Sequence, residues 1–239
     1  MRDELWRAVV SAIEDAIPEY DKVNQKVSLG RASVVREYAV EKLELKEGMV
    51  VLDAGIGPGT MSETVLRNTS EVTVVGLDGS TKLLQAARSR FSGNAQVHFV
   101  RAVFEAVPVR EGAVNRIVSA FAFRDARNRE AAIDEFFRAT NRDGSFAIVD
   151  LGKPDNIVKR AFVTAYIEYL MPLVARFSKS NRIAGNPWRM IVPTFKLLAT
   201  NRELIQALRR RFDDVRIWEF SFGGIIVILA RKAGSGSAS

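Results

Sequence analysis

Met49-Val50-Val51-Leu52-Asp53-Ala54-Gly55-Ile56-Gly57-Pro58-Gly59-Thr60 is the stretch that decides the fold of this 239-residue chain. A continuous apolar run ends on an acid and passes directly into a turn with glycine at every second position. The run Met49 to Asp53 reads as a strand buried on both faces, as strands of parallel sheets are. The turn reads as a place where backbone must approach a ligand closely, since side chains would hold it off. Thr60 stands where the third glycine of a dinucleotide fingerprint would fall, and Pro58 has no N–H to offer a pyrophosphate. A helix from Thr60 to Asn68 follows.

Working outward, strands at Val72–Asp78, Gln96–Arg101, Asn115–Ala120 and Ser145–Asp150 alternate with helices near Ser80–Arg90 and Asn128–Thr140. That alternation predicts parallel βαβ units in a doubly wound α/β fold. Beyond Pro154 the pattern changes. Asn156 to Ser178 reads as one long helix, Ser180 to Pro193 as irregular chain, and Asn201 to Phe212 as helix. Val215–Ser221 and Ile225–Arg231, joined at Gly223-Gly224, read as an antiparallel hairpin that completes a mostly parallel sheet of seven strands. Upstream, Leu5, Trp6, Val9, Val10, Ile13 and Ile17 recur at helical spacing and predict an amphipathic helix stopped near Pro18. A second helix is expected from Ala32 to Leu43. The expected organisation is an N-terminal helical segment at 1–45 that closes over the site. A main domain at 46–233 follows, with a helical cap at about 156–195, and a flexible tail occupies 234–239.

Cysteine is absent, which excludes disulfides, thiolate metal sites, iron–sulfur clusters and a thiol nucleophile. The net charge of +7 permits attraction to nucleic acid, but the basic residues are scattered among acids. The tight run Arg209-Arg210-Arg211 closes a helix, where cations suit the dipole. Asp3 and Glu4 sit where a secretory signal would be basic, and the apolar stretch from Ala161 to Phe177 is interrupted by Glu168, Pro172 and Arg176. A cytoplasmic location is the expectation.

Asp53 can hold the loop or face a ligand ammonium through water. Gly76-Leu77-Asp78-Gly79 ends the next strand, and an acid placed there, about 20 residues past the glycines, hydrogen-bonds ribose hydroxyls. The base of a nucleoside belongs after the third strand, at Val103-Phe104. Phe104 there either stacks on an adenine or is core. A nicotinamide dinucleotide site and an ordinary α/β turn with a surface Asp78 are the alternatives.

Further stretches carry a resemblance across about Tyr20 to Lys232. Tyr20-Asp21-x-x-Asn24 with Ser28-Leu29-Gly30, Glu105-Ala106-Val107-Pro108, Phe121-Ala122-Phe123-Arg124-Asp125 and Asp150-Leu151-Gly152-Lys153-Pro154 look like signatures of the UbiE-type quinone C-methyltransferases. The glycine loop and Gly76-Leu77-Asp78 are similar to that family's cofactor motifs, and the closing hairpin fits the layout of class I methyltransferases. Departures are Pro58 for threonine, Val103 for asparagine, Asn115 for aspartate and Ala120 for serine. Each removes a side-chain polar contact worth about 0.5–1.5 kcal/mol.

The resemblance implies S-adenosyl-L-methionine as cofactor, held by Asp53, Gly55, Gly57, Pro58, Gly59, Asp78, Gly79, Val103, Phe104 and Ala120. It implies methyl transfer to a ring carbon of a hydroquinone, which needs a base and a cation to steady the phenolate. Asp125 and Asp150, at strand ends, are the candidate bases and Arg124 the candidate cation, with Arg124 equally able to pair with Asp125 structurally. Asp150 also reads as a loop or capping residue, Tyr20 and Asp21 as closing over the site or pinning the N-terminal segment. His98, mid-strand, is expected to point toward core or a crossing helix. Phe162, Tyr166, Tyr169, Leu170, Leu173 and Phe177, with Trp188, Met190 and Phe195, form an apolar stripe suited to core or to covering an isoprenoid tail. The partner expectations are a small aromatic or quinol acceptor, no metal and no nucleic acid, with peripheral membrane contact and a homodimer left open. An RNA methyltransferase and a cofactor-binding protein without turnover remain rivals.

Overall fold

The computed structural model describes residues 3–173 and 191–232. Seven strands form one sheet: β1 (Val50–Ala54), β2 (Thr73–Asp78), β3 (Val97–Arg101), β4 (Val114–Ala120), β5 (Thr140–Leu151), β6 (Asp214–Phe220) and β7 (Ile225–Arg231). Their order is β3-β2-β1-β4-β5-β7-β6. Every pair from β3 to β5 is parallel, while β7 runs antiparallel to both β5 and β6. The doubly wound sheet with a terminal hairpin is therefore present.

Alternate residues of each apolar strand feed two different cores, which is why the strands read as unbroken hydrophobic runs. Val51, Val74, Val118, Ala147, Val149 and Val227 pack on one face against α3 (Arg31–Leu43) and α4 (Thr60–Asn68). Leu52, Leu77, Ile117, Phe146 and Ile148 pack on the other, against α6 (Arg129–Ala139) and the helix Asn201–Arg209. Phe136 and Phe146 meet edge to face there, with ring centroids 4.8 Å apart.

Helix starts follow their caps. Ser80 accepts from Leu83 N–H to open α5 (Thr81–Arg90), and Asn128 accepts from Ala131 N–H to open α6. Asn156 opens α7 (Ile157–Ala165). Thr200 and Glu203 form a reciprocal capping box. The Arg209-Arg210-Arg211 run lies at that last helix's end. Arg210 pairs with Glu130 at 3.1 Å and Arg211 with Asp134 at 2.7 Å, so two of these three charges are matched by α6 acids.

The N-terminal region holds α1 (Asp3–Ala16), a short 3-10 turn at Ile17–Glu19 and α2 (Tyr20–Val27), ahead of α3. Helix α2 was not foreseen. His98 is corrected: it is exposed, because β3 is an edge strand and only alternate residues face inward. The helix expected from Asn156 is helical to 173 but carries a π turn at Tyr166–Leu170; its remainder lies outside the described residues. Pro193 sits in the first turn of α8 (Ile191–Lys196), not in irregular chain, where a missing N–H costs nothing. The helix Asn201–Arg209 is α9, and it ends before the expected Phe212. Expectations for Phe177, Trp188, Met190 and the tail 234–239 fall outside the described residues.

Candidate active site

In the order β3-β2-β1-β4 the chain leaves β1 toward opposite sides, and a crevice opens at the strand carboxyl ends between β1 and β4. The glycine loop forms its floor. Gly55 has φ +81°, and a Cβ there would lie 2.5 Å from Ala122 Cβ and 3.0 Å from the Phe104 ring. Any other residue would have to displace both walls.

The loop's own N–H groups are spent. Gly55 and Ile56 donate to Leu77 O at 2.8 and 3.0 Å, Gly57 donates to Asp78 Oδ2 at 3.0 Å, and Gly59 donates to Ile56 O at 2.9 Å. Pro58 has none to give. No row of free donors remains at 55–59 to cradle a pyrophosphate, which is how a dinucleotide would be held. Asp78 accepts from Gly57 N–H and from Ser80 N–H at 2.9 Å, and burial raises its pKa. Gly79 N–H also bears on it, and since a carboxylate has about four lone-pair sites, acceptor capacity remains for a ribose hydroxyl.

Gly55, Gly57, Pro58, Asp78, Gly79, Val103, Phe104, Ala120 and Asp125 all line this crevice. Phe104 also stands edge to face on Phe136 at 5.8 Å, so it is both crevice wall and core margin. Asp53 and Gly59 do not line it. Asp53 is fully buried; Ser62 Oγ donates to its Oδ2 at 2.6 Å, while its Oδ1 has no partner. Burial pushes the Asp53 pKa up to about 7, and the neighbouring Asp78 charge adds to this. Gly59 is the residue before α4 and backs onto Phe91.

Helix α1 supplies walls that sequence reasoning did not place: Trp6, Val9, Val10 and Ile13. Glu14 fastens this helix, accepting from Ser80 Oγ at 2.6 Å and pairing with Lys82 at 3.0 Å. Arg127 lies over the Trp6 ring at 4.1 Å. With α1 seated the crevice holds about 90 Å³, whereas sites for small ligands commonly span roughly 300–1,000 Å³.

A second cavity, about 500 Å³, adjoins the crevice and shares Ile13, Tyr20 and Phe121 with it. Its walls are apolar: Val27, Leu151, Val163, Ile167, Met171 and Ile225 among them. Tyr166 lines it and donates its hydroxyl to Val27 O at 2.6 Å. The inward face of the cap helix is thus Val163, Ile167 and Met171, spaced by four as one face of a helix is. Tyr169, Leu170 and Leu173 of the expected stripe instead face outward, Phe162 (69% exposed) stands at the cavity's rim, and Phe195 is buried core. Leu29, Phe162 and Phe222 are exposed and lie among the cavity's lining residues.

Arg124 lines the second cavity and Asp125 the first, at their junction. Arg124 Nη1 donates to Asp150 Oδ1 at 2.8 Å and to Phe121 O at 2.6 Å, and its Nη2 stands 3.7 Å from Asp125 Oδ2. Asp125 Oδ1 is buried without a partner, and burial lifts this carboxyl to about 6, further raised by Asp150 and restrained by Arg124. Asp150, a candidate base or a capping residue from the sequence, instead orders Arg124. Tyr20 faces both cavities, and burial raises its pKa. Asp21 accepts from Thr60 Oγ1 and pairs with Arg90, pinning α2 to the glycine loop.

The profile of the ubiE/COQ5 methyltransferase family matches residues 3–223. The chain belongs to that family. Among relatives, the ubiquinone/menaquinone biosynthesis C-methyltransferase UbiE of Campylobacter jejuni is 23% identical over 94% of this chain and 97% of that protein. A demethylmenaquinone methyltransferase of Renibacterium salmoninarum is 28% identical over 72% and 71%. In structure, a SAM-dependent methyltransferase from Aquifex aeolicus superposes with TM-score 0.55 at 18% identity, covering 82% of this chain and 88% of that one. The cyclase SpnF superposes with TM-score 0.58 at 13% identity, covering 84% and 81%. The fold alone thus hosts different chemistries, and membership of the ubiE/COQ5 family decides among them. This member is a SAM-dependent methyltransferase. Its crevice fits that cofactor: the loop admits close backbone approach and offers no pyrophosphate donors, while Asp78 keeps acceptor capacity for a ribose. Among the described residues no His, Cys, Asp or Glu cluster could hold a metal ion, and no helix is long and apolar enough to cross a membrane.

Proposed function

We propose that this enzyme C-methylates a reduced quinone or a closely related lipid-like phenol. The observation that carries the reading is the apolar cavity of about 500 Å³ that meets the cofactor crevice along Ile13, Tyr20 and Phe121, with Arg124 and Asp125 at the junction. The two named relatives are quinone-pathway C-methyltransferases or demethylmenaquinone methyltransferases, which supports the same acceptor class.

Bound S-adenosyl-L-methionine supplies an electrophilic methyl group, so the protein's task is alignment and charge control. Asp78 would hold the ribose, Phe104 and Val103 would flank the base, and Gly55, Gly57 and Pro58 would let the cofactor lie close to the backbone. Asp53 acts from below, bracing α4 through Ser62. Asp125 takes the acceptor's phenolic proton onto its unpartnered Oδ1, directly or through water, and a group titrating near 6 is suited to that work. Arg124 faces the resulting phenolate, held in place by Asp150. The N-terminal segment, α1 above all, covers the crevice once the cofactor is in, excluding water from the transfer.

An isoprenoid tail leaves through the mouth marked by Leu29, Phe162 and Phe222, with Ile157 and Val158 exposed farther along α7. That rim supports work at the cytoplasmic face of a membrane. Incubation with methyl-labelled S-adenosyl-L-methionine and a reduced demethylated isoprenoid quinone in detergent should give a labelled ring carbon. Absence of label, in protein shown to bind the cofactor, would remove the acceptor assignment.

A further inference from the structure

Arg36 is a buried cation without an ion-paired acid among the described residues. It lies on α3, is 6% exposed and lines the cofactor crevice. Among the described residues it makes no hydrogen bond or ion pair, and its Nε is buried without a partner. Its guanidinium sits over the Phe121 ring at 5.0 Å, a contact that orients the fork without consuming its donors. The acids whose charge reaches it make no ion pair with it: Asp21 is bonded to Thr60 and Arg90, and Asp53, with its Oδ2 on Ser62, is pushed by burial toward its neutral form. Burial accordingly pushes the Arg36 pKa down. A buried, unpaired charge is costly to a fold and persists where a ligand completes it.

The sheet order says which ligand group arrives there. Asp78 and Phe104 follow β2 and β3, so the adenosine end of the cofactor lies on that side. The rest of the molecule must then run across β1 toward β4, whose end is Phe121, the ring that carries Arg36. The methionine arm of S-adenosyl-L-methionine has a single anionic group, its α-carboxylate. A planar guanidinium fork matches a carboxylate two bonds at a time. We infer that Arg36 is the seat of the cofactor's α-carboxylate. Arg124, at the acceptor side, is already held by Asp150 and Phe121 O and does not compete for it.

This rests on S-adenosyl-L-methionine as the cofactor and adds the residue that reads its amino-acid end. Calorimetry on the full chain tests it with three probes: S-adenosylhomocysteine, its carboxamide, and 5′-methylthioadenosine, which lacks the amino-acid end. The unmodified protein should prefer S-adenosylhomocysteine over the carboxamide by about 10- to 100-fold, the range of hydrogen bonds to a charged group. Arg36→Met should lose that preference while binding methylthioadenosine as before, and without ligand it should melt no lower than the parent. Arg36→Lys should retain part of the preference. The inference is overturned if Arg36→Met still discriminates as the parent does, or if the parent binds acid and amide equally. The parent's comparison and Arg36→Lys stand even if Arg36→Met does not fold. Failure of all three probes to bind the parent would instead strike at the cofactor reading.

Discussion

Arg124 and Asp150 engage each other twice: Arg124 Nη1 donates to Asp150 Oδ1 at 2.8 Å, and Arg124 backbone N–H donates to Asp150 Oδ2 at 2.8 Å. Both side chains are buried, at 9% and 4% exposure. The segment after β4, including Phe121 at φ +57°, is therefore clamped to the end of β5. Removing one partner of a buried pair costs about 3–5 kcal/mol, because the other charge is stranded. Asp150→Ala should destabilise the enzyme by that order in urea unfolding. Asp150→Asn should be milder in stability yet still lower kcat, with S-adenosylhomocysteine affinity unchanged, since Asp150 does not line the crevice. Parental kcat in Asp150→Asn would deny it a positioning role.

Asp125 carries the proton-transfer assignment. A general base contributes about 10²–10⁴-fold, so Asp125→Asn should lower kcat by that range and leave cofactor affinity within a few-fold. The base works ionised, so parental activity should rise with pH through about 6, and the variant should lack that limb. A variant with the same acidic limb would assign the titration to another group.

Asp53 makes a prediction about stability. Its folded pKa of about 7 lies above the ordinary 3.8, so the unfolded chain ionises first as pH rises. Stability from this group is fully present below about pH 4 and is lost as pH climbs through about 7. Asp53→Asn keeps an acceptor for Ser62 and has no charge to bury. It should gain on the parent between pH 5 and pH 8 by on the order of a few kcal/mol. Melting curves across that range giving a constant difference would contradict the assignment.

The exposed rim of the acceptor cavity should contact lipid. Replacing Phe162 and Phe222, 69% and 74% exposed, by Ser should reduce sedimentation with liposomes while leaving methyl transfer to a short-tailed quinol unchanged. Equal sedimentation of parent and variant would place any membrane contact elsewhere.

The central fold was legible because strands buried on two faces leave unbroken apolar runs, and because Gly55 and Pro58 report backbone demands directly. His98 was misplaced because nothing local says that β3 is the sheet edge. Helix α2 was missed since only Val23 and Val27 mark its buried face among polar neighbours. Phe162 and Val163 are neighbours on α7 and both reach the cavity, so an apolar count alone could not say that Val163 is the buried one. Asp150 read as a base or a capping acid because its partner Arg124 is 26 residues away and on another strand end. Arg36 did leave a signal. It stands on the buried stripe of Ala32, Val35, Ala39, Val40 and Leu43, where a lone cation needs a reason.

We propose that the crevice floored by Gly55, Gly57 and Pro58 takes an adenosyl sulfonium whose ribose is held by Asp78. Thermal melting of the parent and Asp78→Ala with saturating S-adenosylhomocysteine or NAD tests it most directly. Ligand at 100 times its dissociation constant adds about 2.7 kcal/mol, so the parent should melt several degrees higher with S-adenosylhomocysteine and not with NAD. Asp78→Ala should lose most of that shift. A shift with NAD, or an undiminished S-adenosylhomocysteine shift in Asp78→Ala, would contradict the claim.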